Sequence, residues 1–130
     1  KSLPLSLGDV MSLQTLDLSY SSISLLPISI GKLKNLSELR LFSTENLHNV
    51  PATFGNLTGL QTLDLSLSNI MSLPSLENLC NLQYLGLNRM RKLQFVPALG
   101  NKLKNLKRLE VDHSEITSLP PLRDMKNLLE

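Results

Sequence analysis

A chain of 130 residues that is 42% hydrophobic and only 4% aromatic, with no tryptophan, is long enough for one domain and too short for two. Its net charge of +2, from 13 basic and 11 acidic residues, is far from the dense positive field that drives nucleic-acid binding. No apolar run approaches the ~18 residues a membrane span needs, there is no charged-then-apolar secretory start, and a single cysteine precludes an internal disulfide and makes a reducing compartment the default.

Leucine is used over and over, which favours a repeat. The chain opens on Leu3-Pro4-Leu5-Ser6-Leu7-Gly8, which superposes on Leu26-Pro27-Ile28-Ser29-Ile30-Gly31, so residues 1–12 read as the later part of a repeat. Full repeats then span 13–35, 36–59, 60–81, 82–105 and 106–127, starting at Leu13, Leu36, Leu60, Leu82 and Leu106, and 128–130 opens a truncated one. After each start, leucine or valine recurs three and five residues on: Leu16 and Leu18, Leu39 and Leu41, Leu63 and Leu65, Leu85 and Leu87, Leu109 and Val111. Such alternation predicts five short half-buried strands.

Each strand is followed by one more apolar residue and then an apolar-Pro pair: Leu26-Pro27, Val50-Pro51, Leu73-Pro74, Val96-Pro97 and Leu119-Pro120. Proline has no ladder donor, so it marks where the chain has left the strand and begins its return. The return arm supplies the last inward residues, such as Ile30 and Leu33 or Phe54 and Leu57. No coil can bury its own leucines, so stacking is obligatory.

The frame L-x-x-L-x-L, then apolar, then L-P, resembles the leucine-rich-repeat family over essentially the whole chain. The resemblance implies an α/β fold, a right-handed solenoid with a parallel β-sheet on its concave face and short helical, 3-10 or extended arms on its convex face. Lacking Gly-x-Ile-Pro, it is similar to intracellular types: plant immune-receptor repeats, plant Ras-group-type repeats and bacterial effector repeats. The family usually places Asn eight residues after the start, where this chain has Ser21, Thr44, Ser68, Met90 and Ser114. Hydroxyls can serve there and a thioether cannot donate, so the turn after Leu87 is expected to be the weakest step of the ladder or to be rescued by water. Repeats with Thr44 or Met90 in this column carry one extra turn residue and alternate with the serine kind, as in plant immune receptors and some bacterial effectors.

Residues between the buried leucines must face the other side of the sheet. Tyr20, Phe42, Leu67 and Tyr84 are its apolar members on four successive strands, and with Arg40, Arg89 and His113 they are the candidate partner-binding residues. The column Asp17, Arg40, Asp64, Gly86, Glu110 reads as a ladder of weak charge pairs. Seven of the nine basic residues in 66–130 fall between Arg89 and Arg108, a solvated face.

No catalytic residue, metal ligand set or cofactor loop emerges. Cys80 shares a column with Lys34, Thr58, Lys104 and Lys126 and should face solvent on the convex side, away from His113 and His48. The sequons at Asn35 and Asn56 read as chance. The expected function is therefore a protein- or peptide-binding module with its ligand on the concave face, without nucleic acid or membrane as partner. The expected host is a larger intracellular immune-receptor-like protein, in the cytoplasm. The alternatives are the substrate-recruiting module of a bacterial effector enzyme, or a scaffold with no specific partner. With no cap at either end, the chain reads as an excerpt of a longer solenoid, and edge contacts through its ends would carry no biological meaning.

Overall fold

The computed structural model describes residues 2–99, 102–122 and 127–129. Five strands of three residues each, β1 (Thr15–Asp17), β2 (Glu38–Arg40), β3 (Thr62–Asp64), β4 (Tyr84–Gly86) and β5 (Arg108–Glu110), form one parallel sheet in chain order. The register puts Leu16, Leu39, Leu63, Leu85 and Leu109 in a single row across it. Leu39, Leu63 and Leu85 are wholly buried, whereas Leu16 and Leu109 on the outer strands are partly so, because only an inner strand is covered on both flanks. Each leucine so buried contributes ~1.5–3 kcal/mol, and it does so only through its neighbours in other coils.

Strands β2 to β5 are each entered through a shared acceptor. The carbonyl of Gln14 takes the amides of both Ser37 (2.8 Å) and Glu38 (3.0 Å), and the carbonyl of Ser37 does the same for Gln61 and Thr62. The pattern continues to the last described residues, where the Leu129 amide donates to the Lys107 carbonyl at 2.7 Å. Lys126 and the last residue of the truncated repeat at 128–130 lie outside the described residues.

Each strand is left through a residue with positive φ: Tyr20 (61°), Ser43 (57°), Leu67 (61°), Arg89 (55°) and His113 (52°). None is glycine, and a side chain in this left-handed region costs ~1–2 kcal/mol. An inter-coil hydrogen bond offsets part of it at Tyr20, Ser43, Leu67 and Arg89, whose amides reach the next coil's carbonyls at 2.8–2.9 Å. The reversal breaks the alternation of the strand and turns the following residue inward.

That following residue is the Ser21, Thr44, Ser68, Met90, Ser114 column. Met90 is fully buried, and its Sδ accepts the Ser68 hydroxyl at 3.3 Å. A methionine suits an irregular interior gap and its sulfur is a weak acceptor, so the residue acts there by volume. Thr44, Ser68 and Ser114 each donate to the carbonyl three residues back, at 2.7, 2.7 and 2.8 Å. The Ser21 hydroxyl is buried and has no partner among the described residues.

The arms opposite the sheet are 3-10 turns at Leu5–Asp9, Ile28–Lys32 and Ala52–Asn56, each opened by a proline (Pro4, Pro27, Pro51) with φ of −67 to −70°. Each proline sits at the cap in extended backbone, with ψ of 148 to 153°, where its missing N–H costs the turn no hydrogen bond. After Pro74 the chain has one residue fewer before the next strand entry than after Pro27 or Pro51, and it runs in turns instead. Ile30, Leu33, Phe54 and Leu57 close the core from this side, all fully buried. Side-chain hydroxyls cross-link successive arms, Ser29 to the Leu5 carbonyl (2.6 Å) and Thr53 to the Ile28 carbonyl (2.7 Å).

Candidate partner-binding face

The sheet face away from the core carries the seven candidate residues, but not as one surface of strand side chains. Arg40 and Tyr84 stand on β2 and β4, and Phe42 lies two residues beyond β2. Tyr20, Leu67, Arg89 and His113 all occupy the left-handed exit position, so with Ser43 they form a column along one rim of the sheet. Strand alternation over-extended the strands here. Each is three residues long, and the backbone reversal, not the pleat, aims these side chains.

Within the column, Tyr20 and Phe42 meet. Their rings pack edge to face with centroids 5.4 Å apart at 61°, while the Tyr20 amide donates to the Phe42 carbonyl at 2.8 Å. Tyr20 is nevertheless 77% exposed. An edge-to-face pair is worth ~0.5–1.5 kcal/mol, enough to hold the ring in place but not to hide it.

Two shallow clefts open along the same rim. The first, of about 280 Å³, is lined by Tyr20, Ser21, Ser22, Ser43, Glu45 and Asn46. The second, of about 260 Å³, is lined by Glu45, Leu67, Asn69, Arg89 and Arg91. Glu45 belongs to both, and its backbone carbonyl is fixed by the Asn69 side-chain amide at 2.7 Å.

Tyr84 is separated from these. Its hydroxyl donates to Glu110 Oε2 at 2.9 Å, and Asn88 Nδ2 donates to the same oxygen at 2.7 Å. Arg108 Nε lies 2.6 Å from the other carboxylate oxygen, Oε1. Burial first, and then the bond to Glu110, push the Tyr84 phenol well above its ordinary range. A Cβ on Gly86 would stand 2.7 Å from the Tyr84 hydroxyl and from Asp64 Oδ1, so the absence of a side chain there lets the Tyr84 phenol end approach. The candidate anchor is thus committed to the sheet, and the apolar residues of four strands do not make one cluster.

The charged column registers as read, Asp17 beside Arg40 beside Asp64, yet the close ion pairs of Arg40 and Arg108 run along their own strands, to Glu38 and Glu110. Arg40 pairs with Glu38 two residues back, and this bond chiefly holds its guanidinium charged. Asp17 Oδ1 accepts the Ser19 amide at 3.0 Å, and the Ser19 bonds keep that carboxyl below its usual range. Asp64 Oδ1 likewise accepts the Ser66 amide at 3.0 Å. His113 Nδ1 lies 2.8 Å from Asp112 Oδ2 in an exposed pair worth little in stability.

Sequence reasoning missed a second set of residues, an asparagine ladder. Immediately before four repeat starts stand Asn35, Asn81, Asn105 and Asn127, and each Nδ2 donates to a carbonyl of the previous coil: Met11 (3.0 Å), Thr58 (3.0 Å), Cys80 (2.9 Å) and Lys104 (2.6 Å). At the remaining full-repeat junction Gly59 replaces the asparagine, where a Cβ would stand 2.3 Å from the Lys34 carbonyl. The recurrence of Asn-Leu at these starts was visible in the sequence, and Asn35 had been noted only as part of a sequon.

Cys80 is exposed, and His48 Nδ1 stands 3.4 Å from the Asn69 carbonyl. Among the described residues no three His, Cys, Asp or Glu side chains are grouped so as to hold a metal ion. No helix among them is long and apolar enough to cross a membrane.

No protein-family model and no curated protein sequence matches the chain. Solved structures do. A leucine-rich-repeat protein of Leptospira interrogans is 33% identical and superposes with a TM-score of 0.86 over 98% of this chain and 32% of that one. The plant peptide hormone receptor RGFR1, in complex with RGF2, is 30% identical with a TM-score of 0.83, over 98% of this chain and 22% of the receptor. The Arabidopsis receptor kinase HAESA, in complex with the peptide hormone IDA and the co-receptor SERK1, is 28% identical with a TM-score of 0.77, again over 98% of this chain and 22% of that one. The chain therefore spans a third or less of the length of each of these proteins.

Proposed function

The chain belongs to the leucine-rich-repeat family, and we propose that it serves as a protein- or peptide-binding module of a larger protein, with the concave sheet face and its turn rim as the contact surface. The observation that carries this reading is Tyr20, an aromatic ring 77% exposed and held in position by Phe42. A large amphipathic side chain pre-positioned at the surface is the usual anchor of an interface, since little freedom remains for binding to remove. Two of the similar structures are receptors solved with a peptide hormone or other named partner, which supports a peptide as the ligand class.

The whole protein is read as an intracellular immune receptor of plant type, on the alternation of two turn kinds along the repeats. The exposed unpaired Cys80 supports a reducing compartment. A nucleotide-binding P-loop domain in the same polypeptide belongs with that reading, and a ligase domain with the bacterial-effector alternative. Glycan on Asn56 of native material would overturn the intracellular assignment.

The test of binding is selection of a displayed peptide library on the full chain, with a Tyr20→Ala/Phe42→Ala variant as counter-target. Enriched peptides should bind the variant at least tenfold more weakly. Failure to enrich any sequence, or equal binding to the variant, would remove the proposal.

A further inference from the structure

We infer that the turn rim selects an extended peptide carrying an aromatic or large aliphatic residue and, four or five residues away, an acidic side chain. The inference rests on the peptide-binding reading above and specifies the ligand it takes. The geometry begins with the column of left-handed residues. Tyr20 and Arg89 occupy the same position in coils three strand spacings apart, and parallel strands ~4.8 Å apart put ~14 Å between them. An extended peptide advances ~3.3 Å per residue, so four or five residues cover that span.

The two ends of the rim differ in chemistry. At one end the exposed Tyr20 ring and its Phe42 support offer an apolar contact. At the other, Arg89 and Arg91 line the second cleft beside Leu67, and neither guanidinium has an ion-pair partner among the described residues. Arg40 and Arg108 are already committed to Glu38 and Glu110, and the nearby Asp112 is paired with His113. Two uncommitted guanidiniums in one cleft present forked donors to a carboxylate, which binds them with charge-assisted hydrogen bonds.

Glu45 sets the direction. It lines both clefts, in the coil between those of Tyr20 and Leu67, so an acid placed next to the aromatic residue meets a like charge. Complementarity thus runs apolar, then neutral or basic, then acidic along the rim. Such an arrangement discriminates by repulsion as well as attraction.

The test uses the full chain and fluorescein-labelled Gly/Ser peptides, each with one Phe and one Asp separated by two to seven residues. Fluorescence anisotropy titration should give the tightest binding at a separation of four or five, at least tenfold over the same peptide with Asn for Asp. The Arg89→Glu/Arg91→Glu variant should lose that preference and gain one for Lys at the same place. Both arginines are exposed, and an unchanged urea midpoint checks that the variant is folded. Phe-dependent binding that ignores the acid or its spacing overturns this inference alone. If no peptide binds, or binding survives Tyr20→Ala/Phe42→Ala, the peptide-binding reading falls with it.

Discussion

The hydroxyl of Tyr84 donates to Glu110 across β4 and β5, at 2.9 Å, and so joins two strands by side chains on the face opposite the core. Glu110 also receives Asn88 and Arg108, which makes it the node of the most connected polar group on the sheet.

Alkaline stability should report the burial of this phenol and, after it, the bond to Glu110. The Tyr84 phenol is pushed up in the folded chain, so its neutral form is favoured by folding. Its contribution is complete below the unfolded phenol value near pH ~10 and is lost as pH rises towards the higher folded value. In urea titrations from pH 8 to 11, the wild type should lose stability above pH 10 more steeply than Tyr84→Phe, and equal slopes would count against the assignment.

The asparagine ladder should matter more than its exposed position suggests. Asn81→Ala or Asn105→Ala each removes a bond between coils and leaves a carbonyl to water, a loss of ~0.5–1.5 kcal/mol. Asn78→Ala, which removes only an exposed contact with Lys102 at 3.2 Å, should change the urea midpoint little. Equal effects at Asn78 and Asn81 would show the ladder to be incidental.

Serines in the turn column should behave oppositely. Ser21→Ala removes a buried hydroxyl that has no partner among the described residues, so it should be neutral or stabilising. Ser68→Ala removes bonds to the Leu65 carbonyl and to Met90 and should cost ~1 kcal/mol. Met90→Ala opens a cavity in the core and should cost ~2–5 kcal/mol, measured by thermal or urea unfolding.

Two glycines should differ for a similar reason. A Cβ on Gly31 would stand 2.7 Å from the Thr53 carbonyl oxygen, a backbone atom of the adjoining arm that must shift, and overpacking of this kind costs ~1–3 kcal/mol. The Gly86 neighbours are the ends of Tyr84 and Asp64, which can swing aside. Gly31→Ala should lower the unfolding midpoint more than Gly86→Ala, and the reverse order would contradict the packing described.

By itself the sequence determined which residues go inside. The leucines three and five after each start, and the arm residues Ile30, Leu33, Phe54 and Leu57, follow from periodicity within a single coil, because burial of a pleated strand is a local alternation. Tertiary structure decided which polar groups are spent on the fold and which remain to bind. The asparagine bonds join residues 23 to 25 apart in sequence, so their acceptors appear only once coil is stacked on coil. The reversal at Tyr20, Leu67 and Arg89 has no glycine to announce it, since the inter-coil bonds of these residues carry the strained backbone. Tyr84 and Arg89 look alike as exposed candidates in a linear reading. Only the neighbouring coil shows that Glu110 holds the first and that no carboxylate among the described residues pairs with the second.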